Sequence, residues 1–165
     1  MIEILTPVHV VISLVAIFSG LVVMYGLLTA KRLDRWTATF LITTVATSAT
    51  GFLFPFHGFT PGIGVGLISF GLLAVAIIAR YAFRLAGAWR LLYVVTALLS
   101  LYLNVFVLIA QLFQKVPTLK ALAPTQSEPP FLVTQLIVLV AFVFFIAAAA
   151  IRFHIEPTRT AVRGA

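Results

Sequence analysis

Five long apolar runs, separated by short polar stretches, constrain this chain more than any other feature it has. They lie at roughly residues 7–30, 36–56, 62–84, 91–113 and 131–151, and each can cross about 30 Å of hydrocarbon at about 1.5 Å per helical residue. A segment in hydrocarbon must satisfy its own backbone polar groups, so each run is expected to be an α-helix. The fold class that follows is all-α: an integral membrane bundle of five transmembrane helices, a single domain over residues 1–165. With 62% hydrophobic and 9% charged residues, little of the chain remains for a soluble domain.

The basic residues then orient the bundle. Lys31, Arg32 and Arg35 follow the first run, Arg80, Arg84 and Arg90 bracket the connection between the third and fourth, and Arg152, Arg159 and Arg163 follow the fifth. All nine fall on one side of a five-span bundle, and Lys115 and Lys120 on the other. The excess of Lys and Arg in cytoplasmic loops places the amino terminus outside and the carboxyl terminus in the cytoplasm. The formal charge of +7 is therefore an orientation signal, which excludes nucleic acid as the partner it implies. Membrane lipids, with anionic headgroups first, are the expected partners, alongside a membrane-protein partner or a homo-oligomer.

The first run ends in Lys31-Arg32 and is preceded by Glu3 rather than a basic segment, the pattern of a retained helix rather than a signal peptide. The absence of cysteine excludes disulfides, thiolate metal sites and a Cys nucleophile. Four carboxylates in the whole chain, none central in a span, leave no pair for glycosidic or proton-relay chemistry and argue against a proton-coupled transporter. Enzyme chemistry has no motif here. Asp34, Glu156 and His154 stand near the arginine clusters and read as surface ion pairs.

Polar side chains inside the runs mark buried faces. In the fourth run Ser100, Asn104, Gln111 and Lys115 keep one helical face. In the second, Thr39, Thr43, Ala46, Thr50 and His57 do so; in the first, His9, Ser13, Ala16 and Gly20. The threonines and serines are expected to bond the carbonyl one turn back and serve close packing, as is the small-residue run of Gly62, Gly64, Gly66, Ser69 and Gly71. Asn104 and Gln111 need partners across the bundle.

By depth, Glu3, His9, His57, Gln111, Gln114, Lys115, Glu128 and Gln135 belong to the outer third, where they are expected to converge on one pocket. Ser100, Asn104, Gln111, Glu128 and Gln135 are the candidate ligand-binding residues, for a small apolar or amphipathic molecule such as a lipid or quinone. His9 and His57 are candidate cofactor ligands: an alternative is a b-type haem held between them, with Ser13, Ala16, Gly20 and Thr50 admitting the macrocycle. A third reading is an accessory subunit without ligand. The proline-bearing connection 115–130 is expected to be an outer loop folding over the end of the fourth helix.

The stretches LYLNVFVLIAQLFQKVPTLKALAPTQSEPPF (101–131), GFLFPFHGFTPGIGVG (51–66) and LAGAWR (85–90) resemble small multi-pass inner-membrane proteins of bacteria that carry no assigned activity. The resemblance implies a bacterial cytoplasmic membrane location and adds no chemistry.

Overall fold

The computed structural model describes residues 2–54 and 61–153. His57 and the rest of residues 55–60 lie outside the described residues, as do His154, Glu156, Arg159 and Arg163. The elements are α1 (Ile2–Leu28), α2 (Asp34–Gly51), α3 (Pro61–Ile77) continued by a π-helical turn (Ile78–Ala82), α4 (Ala88–Lys115), the short α5 (Pro117–Leu122) and α6 (Pro129–Arg152). No strand occurs among the described residues. Pro129 and Pro130 open α6 where a missing N–H costs nothing, and Pro117 does the same for α5.

Four of these helices are long and apolar enough to cross a membrane: Glu3–Leu28, Gly62–Ala82, Ala88–Lys115 and Pro129–Arg152. The protein is accordingly an α-helical membrane protein. α2 is not among the four, because six threonines, Ser48, Asp34 and Arg35 dilute its 18 residues. The outward faces carry Val11, Val15 and Phe18 on α1 and Leu136, Ile137, Val140 and Phe144 on α6, all exposed. Such surfaces suit lipid tails rather than water.

Packing inside rests on shape, since lipid tails are as apolar as leucine and supply no hydrophobic drive between helices. The interior cluster joins Val23 and Leu27 of α1, Phe40 and Leu41 of α2, Leu73 and Ala76 of α3, Tyr93, Leu98 and Leu101 of α4, and Phe142 and Ala149 of α6. α1 can approach because Gly20 has no side chain: a Cβ there would lie 2.5 Å from Leu101 Cδ1 and 2.9 Å from the Phe40 ring. Ala16 and Ser19 on the same face are fully buried. The small-residue run of α3 packs only in part, since a Cβ on Gly66 would meet Phe52 at 3.2 Å but one on Gly71 would meet nothing within 4 Å.

The expected back-bonding of hydroxyls is present at several positions. Thr39 donates to the Arg35 carbonyl at 3.0 Å, Thr43 to Thr39 at 2.7 Å, Thr50 to Ala46 at 2.8 Å, Ser13 to His9 at 2.7 Å and Ser100 to Thr96 at 2.8 Å. The buried polar face of α2 is nevertheless Thr37, Thr44 and Ser48, with Phe40 and Leu41. Thr39 is exposed while Thr43, Ala46 and Thr50 are half-buried, so the expected face of α2 lies at the edge of the buried one, and at Thr50 it meets His9 of α1.

α1 ends in a Schellman turn: the Lys31 N–H bonds the Gly26 carbonyl at 2.8 Å while Ala30 takes φ 55°, a left-handed conformation usually given to glycine. Leu33 folds back over Gly26, where a Cβ would sit 2.9 Å from Leu33 Cδ1. This tight reversal makes α1 and α2 antiparallel neighbours. At the same end of the bundle Arg80, from the π-helical turn, pairs with Asp34 of α2, and Arg90 of α4 donates to the carbonyls of Ala150 (3.3 Å) and Phe153 at the end of α6. Lys31, Arg32, Arg35, Arg80, Arg84, Arg90 and Arg152 are thereby gathered at one end, and Lys115 and Lys120 stand at the other.

The connection 115–130 is ordered. Leu119 and Ala123 pack with Phe113 and Phe131 in a second small cluster, and Gln126 Nε2 donates to the Ala110 carbonyl at 2.7 Å. It folds over the ends of α4 and α6, as expected from its apolar and proline content.

Candidate functional site

At the end opposite the arginines, α1, α2, α3 and α4 splay around a cavity of about 570 Å³. Its walls are Val10, Leu14 and Ile17 from α1, Phe52 and Phe54 after α2, Ile63 and Val65 from α3, and Val107, Leu108 and Leu112 from α4. Polar groups enter from all four helices: Thr6, His9 and Ser13 from α1, Thr47 and Ser48 from α2, Ser69 from α3, and Asn104, Gln111 and Lys115 from α4. A mostly apolar wall with a few convergent polar groups, at a volume of several hundred Å³, is the ordinary form of a small-molecule site.

Each polar group has a structural reason for its place. His9 lies one turn before Ser13 on the small-residue face of α1, and its Nδ1 is 2.8 Å from Thr50 Oγ1. Thr50 has one hydroxyl hydrogen and donates it to the Ala46 carbonyl at 2.8 Å. Its oxygen therefore accepts from His9 Nδ1–H, and in the neutral imidazole that tautomer leaves Nε2 an acceptor. The Phe54 ring stands edge-on to the imidazole at 5.4 Å and holds its plane. Asn104 Nδ2 donates to Thr44 Oγ1 at 3.4 Å, tying α4 to α2 at the inner limit of the site. The Thr47 hydroxyl oxygen is buried without a hydrogen-bond partner, in the wall of the same cavity.

The structure brings together His9, Asn104, Gln111 and Lys115 from the sequence-derived set. Ser100 is fully buried in the packed core one turn further along α4 and does not line the cavity. Gln135 lies between α6 and α4, where its Nε2 donates to the Phe106 carbonyl at 3.1 Å and its Oε1 is buried without a partner. Glu128 is outside the cavity as well, on the connection before α6. Its carboxylate accepts from the Thr125 hydroxyl at 2.8 Å and from the backbone N–H groups of Thr125 and Ser127 at 3.2 and 3.0 Å. Desolvation pushes that carboxyl up, but these bonds outweigh it and hold it below the usual carboxylate range.

Thr47, Ser48, Ser69 and the phenylalanine walls were not candidates on sequence grounds. Their signal was the interval from Thr44 to Ser48, one helical turn, which puts Thr44 and Ser48 on one face. Among the described residues no group of three or more His, Asp or Glu side chains could share a metal ion.

No family model, curated protein or solved structure matches this chain. The functional reading therefore rests on the cavity and on the distribution of charge.

Proposed function

We propose that this chain is a multi-pass protein of a bacterial inner membrane that binds a small apolar or amphipathic molecule, a lipid or quinone, in the cavity between α1, α2, α3 and α4. The observation that carries this reading is the cavity itself, about 570 Å³ with apolar walls and the polar groups of His9, Asn104 and Gln111. A hydrophobic tail or ring fits the Val10, Leu14, Val65 and Val107 walls, and a carbonyl or hydroxyl head finds donors in the Gln111 amide and Lys115 and an acceptor in His9 Nε2.

In this reading α2 is the fifth crossing. Its 18 residues span about 27 Å, and the hydroxyls of Thr39, Thr43 and Thr50, returned to carbonyls of their own helix, are cheap to bury. The arginine-rich end then faces the cytoplasm and the cavity opens toward the outer side.

The test is to purify the protein from bacterial membranes in a mild detergent, extract bound molecules with organic solvent and identify them by mass spectrometry. A specific lipid or quinone, retained at close to one per protein and depleted in Val107→Trp and Gln111→Leu, is the expected result. Equal retention in wild type and the cavity-filling Val107→Trp overturns the reading. A Soret band that disappears in His9→Ala would replace it by haem binding, for which His9 is the one histidine the described residues supply.

A further inference from the structure

We propose a second site, at the opposite end of the bundle, that binds a phosphate anion between α2 and the π-helical turn. A concavity of about 450 Å³ there is lined by Arg32, Asp34, Arg35, Ala38, Arg80 and Tyr81. Three guanidinium groups against one carboxylate leave the lining with a net formal charge of +2.

From the sequence Asp34 reads as half of a surface ion pair, but its partner Arg80 is only 6% exposed. The π-helical turn is the cause. Its wider register, with the Phe83 N–H bonded to the Ile78 carbonyl at 3.1 Å, keeps both Ala79 and Arg80 on the buried side. Arg80 Cζ lies 5.3 Å from the Tyr93 ring centroid and 5.8 Å from that of Tyr81, so two aromatic faces hold the guanidinium in place. Asp34 answers this charge and is also 3.6 Å from Arg32. One carboxylate shared by two arginines, with Arg35 beside it, leaves an anion deficit around an opening floored by the small Ala38.

Guanidinium groups match phosphate oxygens with paired N–H donors, and a pre-positioned Arg80 loses little freedom on engaging one. The shared chemistry is a phosphate ester or free phosphate, and basic pockets between membrane helices take lipid headgroups in this way. This site is independent of the cavity described above and of which end of the bundle faces the cytoplasm.

The test titrates full-length protein in detergent micelles with dioleoyl phosphatidylglycerol, dioleoyl phosphatidylcholine and inorganic phosphate, read by native mass spectrometry. The Arg32→Gln/Arg35→Gln variant keeps the Arg80 to Asp34 pair, and a thermal melt followed by circular dichroism checks its fold. The control, Lys31→Gln/Arg84→Gln, removes two charges at the same end but outside the concavity. Phosphatidylglycerol binding is expected to fall about 30-fold in the Arg32/Arg35 variant, the equivalent of two basic groups, and to change less than about threefold in the control. Lipid retained against excess phosphate assigns the site to a headgroup; displacement, with Arg32- and Arg35-dependent binding of phosphate alone, assigns it to the free anion. Equal losses in the two variants, or no loss of either ligand in the Arg32/Arg35 variant, overturn the proposal.

Discussion

At the scale of single residues, two opposite devices hold the bundle. Its interior relies on the absence of a side chain and its arginine-rich end on a buried charge. Gly20 admits Phe40 and Leu101 into the space a Cβ would occupy, and both neighbours are themselves nearly inaccessible, so neither can withdraw. Gly20→Val is expected to destabilise the protein by roughly 1–3 kcal/mol, the usual cost of overpacking. Gly71→Ala, at an open position, is expected to leave stability unchanged or raise it by up to about 1 kcal/mol through helix propensity. Thermal unfolding in micelles, followed by circular dichroism, separates the two; similar losses at both positions would contradict the close approach at Gly20. Arg80 illustrates why residue type alone misleads. An arginine at the end of an apolar run reads as an orientation signal exposed to headgroups, whereas the π-helical turn buries it against Tyr93.

At the scale of elements, the connection from Lys115 to Glu128 behaves as part of the fold rather than as a lid. Its apolar residues pack on Phe113 and Phe131, and Glu128 ties the last turn before α6 through three accepted hydrogen bonds. Because the folded carboxyl is held below its ordinary value, the stabilisation it contributes is full above the unfolded carboxylate value and is lost as pH falls through the lowered one. An NMR titration of the Thr125 and Ser127 amide resonances is expected to show a midpoint below that of an unstructured peptide carrying the same residues. Glu128→Gln should remove the dependence. A midpoint at or above the peptide value would mean these bonds do not form in solution. α2 shows the complementary lesson: its threonines lower its hydropathy and hide a helix that packs along α1, with Thr39, Thr43 and Thr50 bonded back to their own helix and Thr44 bonded to Asn104 of α4.

At the scale of the whole molecule, the arrangement of charge makes the topology testable. Alkaline phosphatase fused after Phe54 is expected to be active and after Ala165 inactive, if α2 crosses and the arginine-rich end is cytoplasmic. An inactive fusion after Phe54, or an active one after Ala165, would mean that α2 does not cross or that the orientation is reversed. Most of the helical architecture was legible in the amino-acid sequence, because the length of an apolar run and the position of basic residues are local properties that water and hydrocarbon read segment by segment. The expected runs at 7–30, 62–84, 91–113 and 131–151 coincide with α1, α3 with its π-helical turn, α4 and α6 to within a few residues. The candidate site was legible in part: His9, Asn104, Gln111 and Lys115 share a cavity, as their phase and depth imply. Ser100 shares the phase of Asn104 yet lies one turn too deep, and Gln135 shares the depth of Gln111 yet faces α4 from α6. Phase and depth are properties of one helix, but a cavity exists only where four helices fail to close. Which faces meet is set by side-chain shape at contacts such as Gly20 with Phe40 and Leu101, and by the π-helical register that carries Arg80 inward. Those choices were made by the tertiary packing alone.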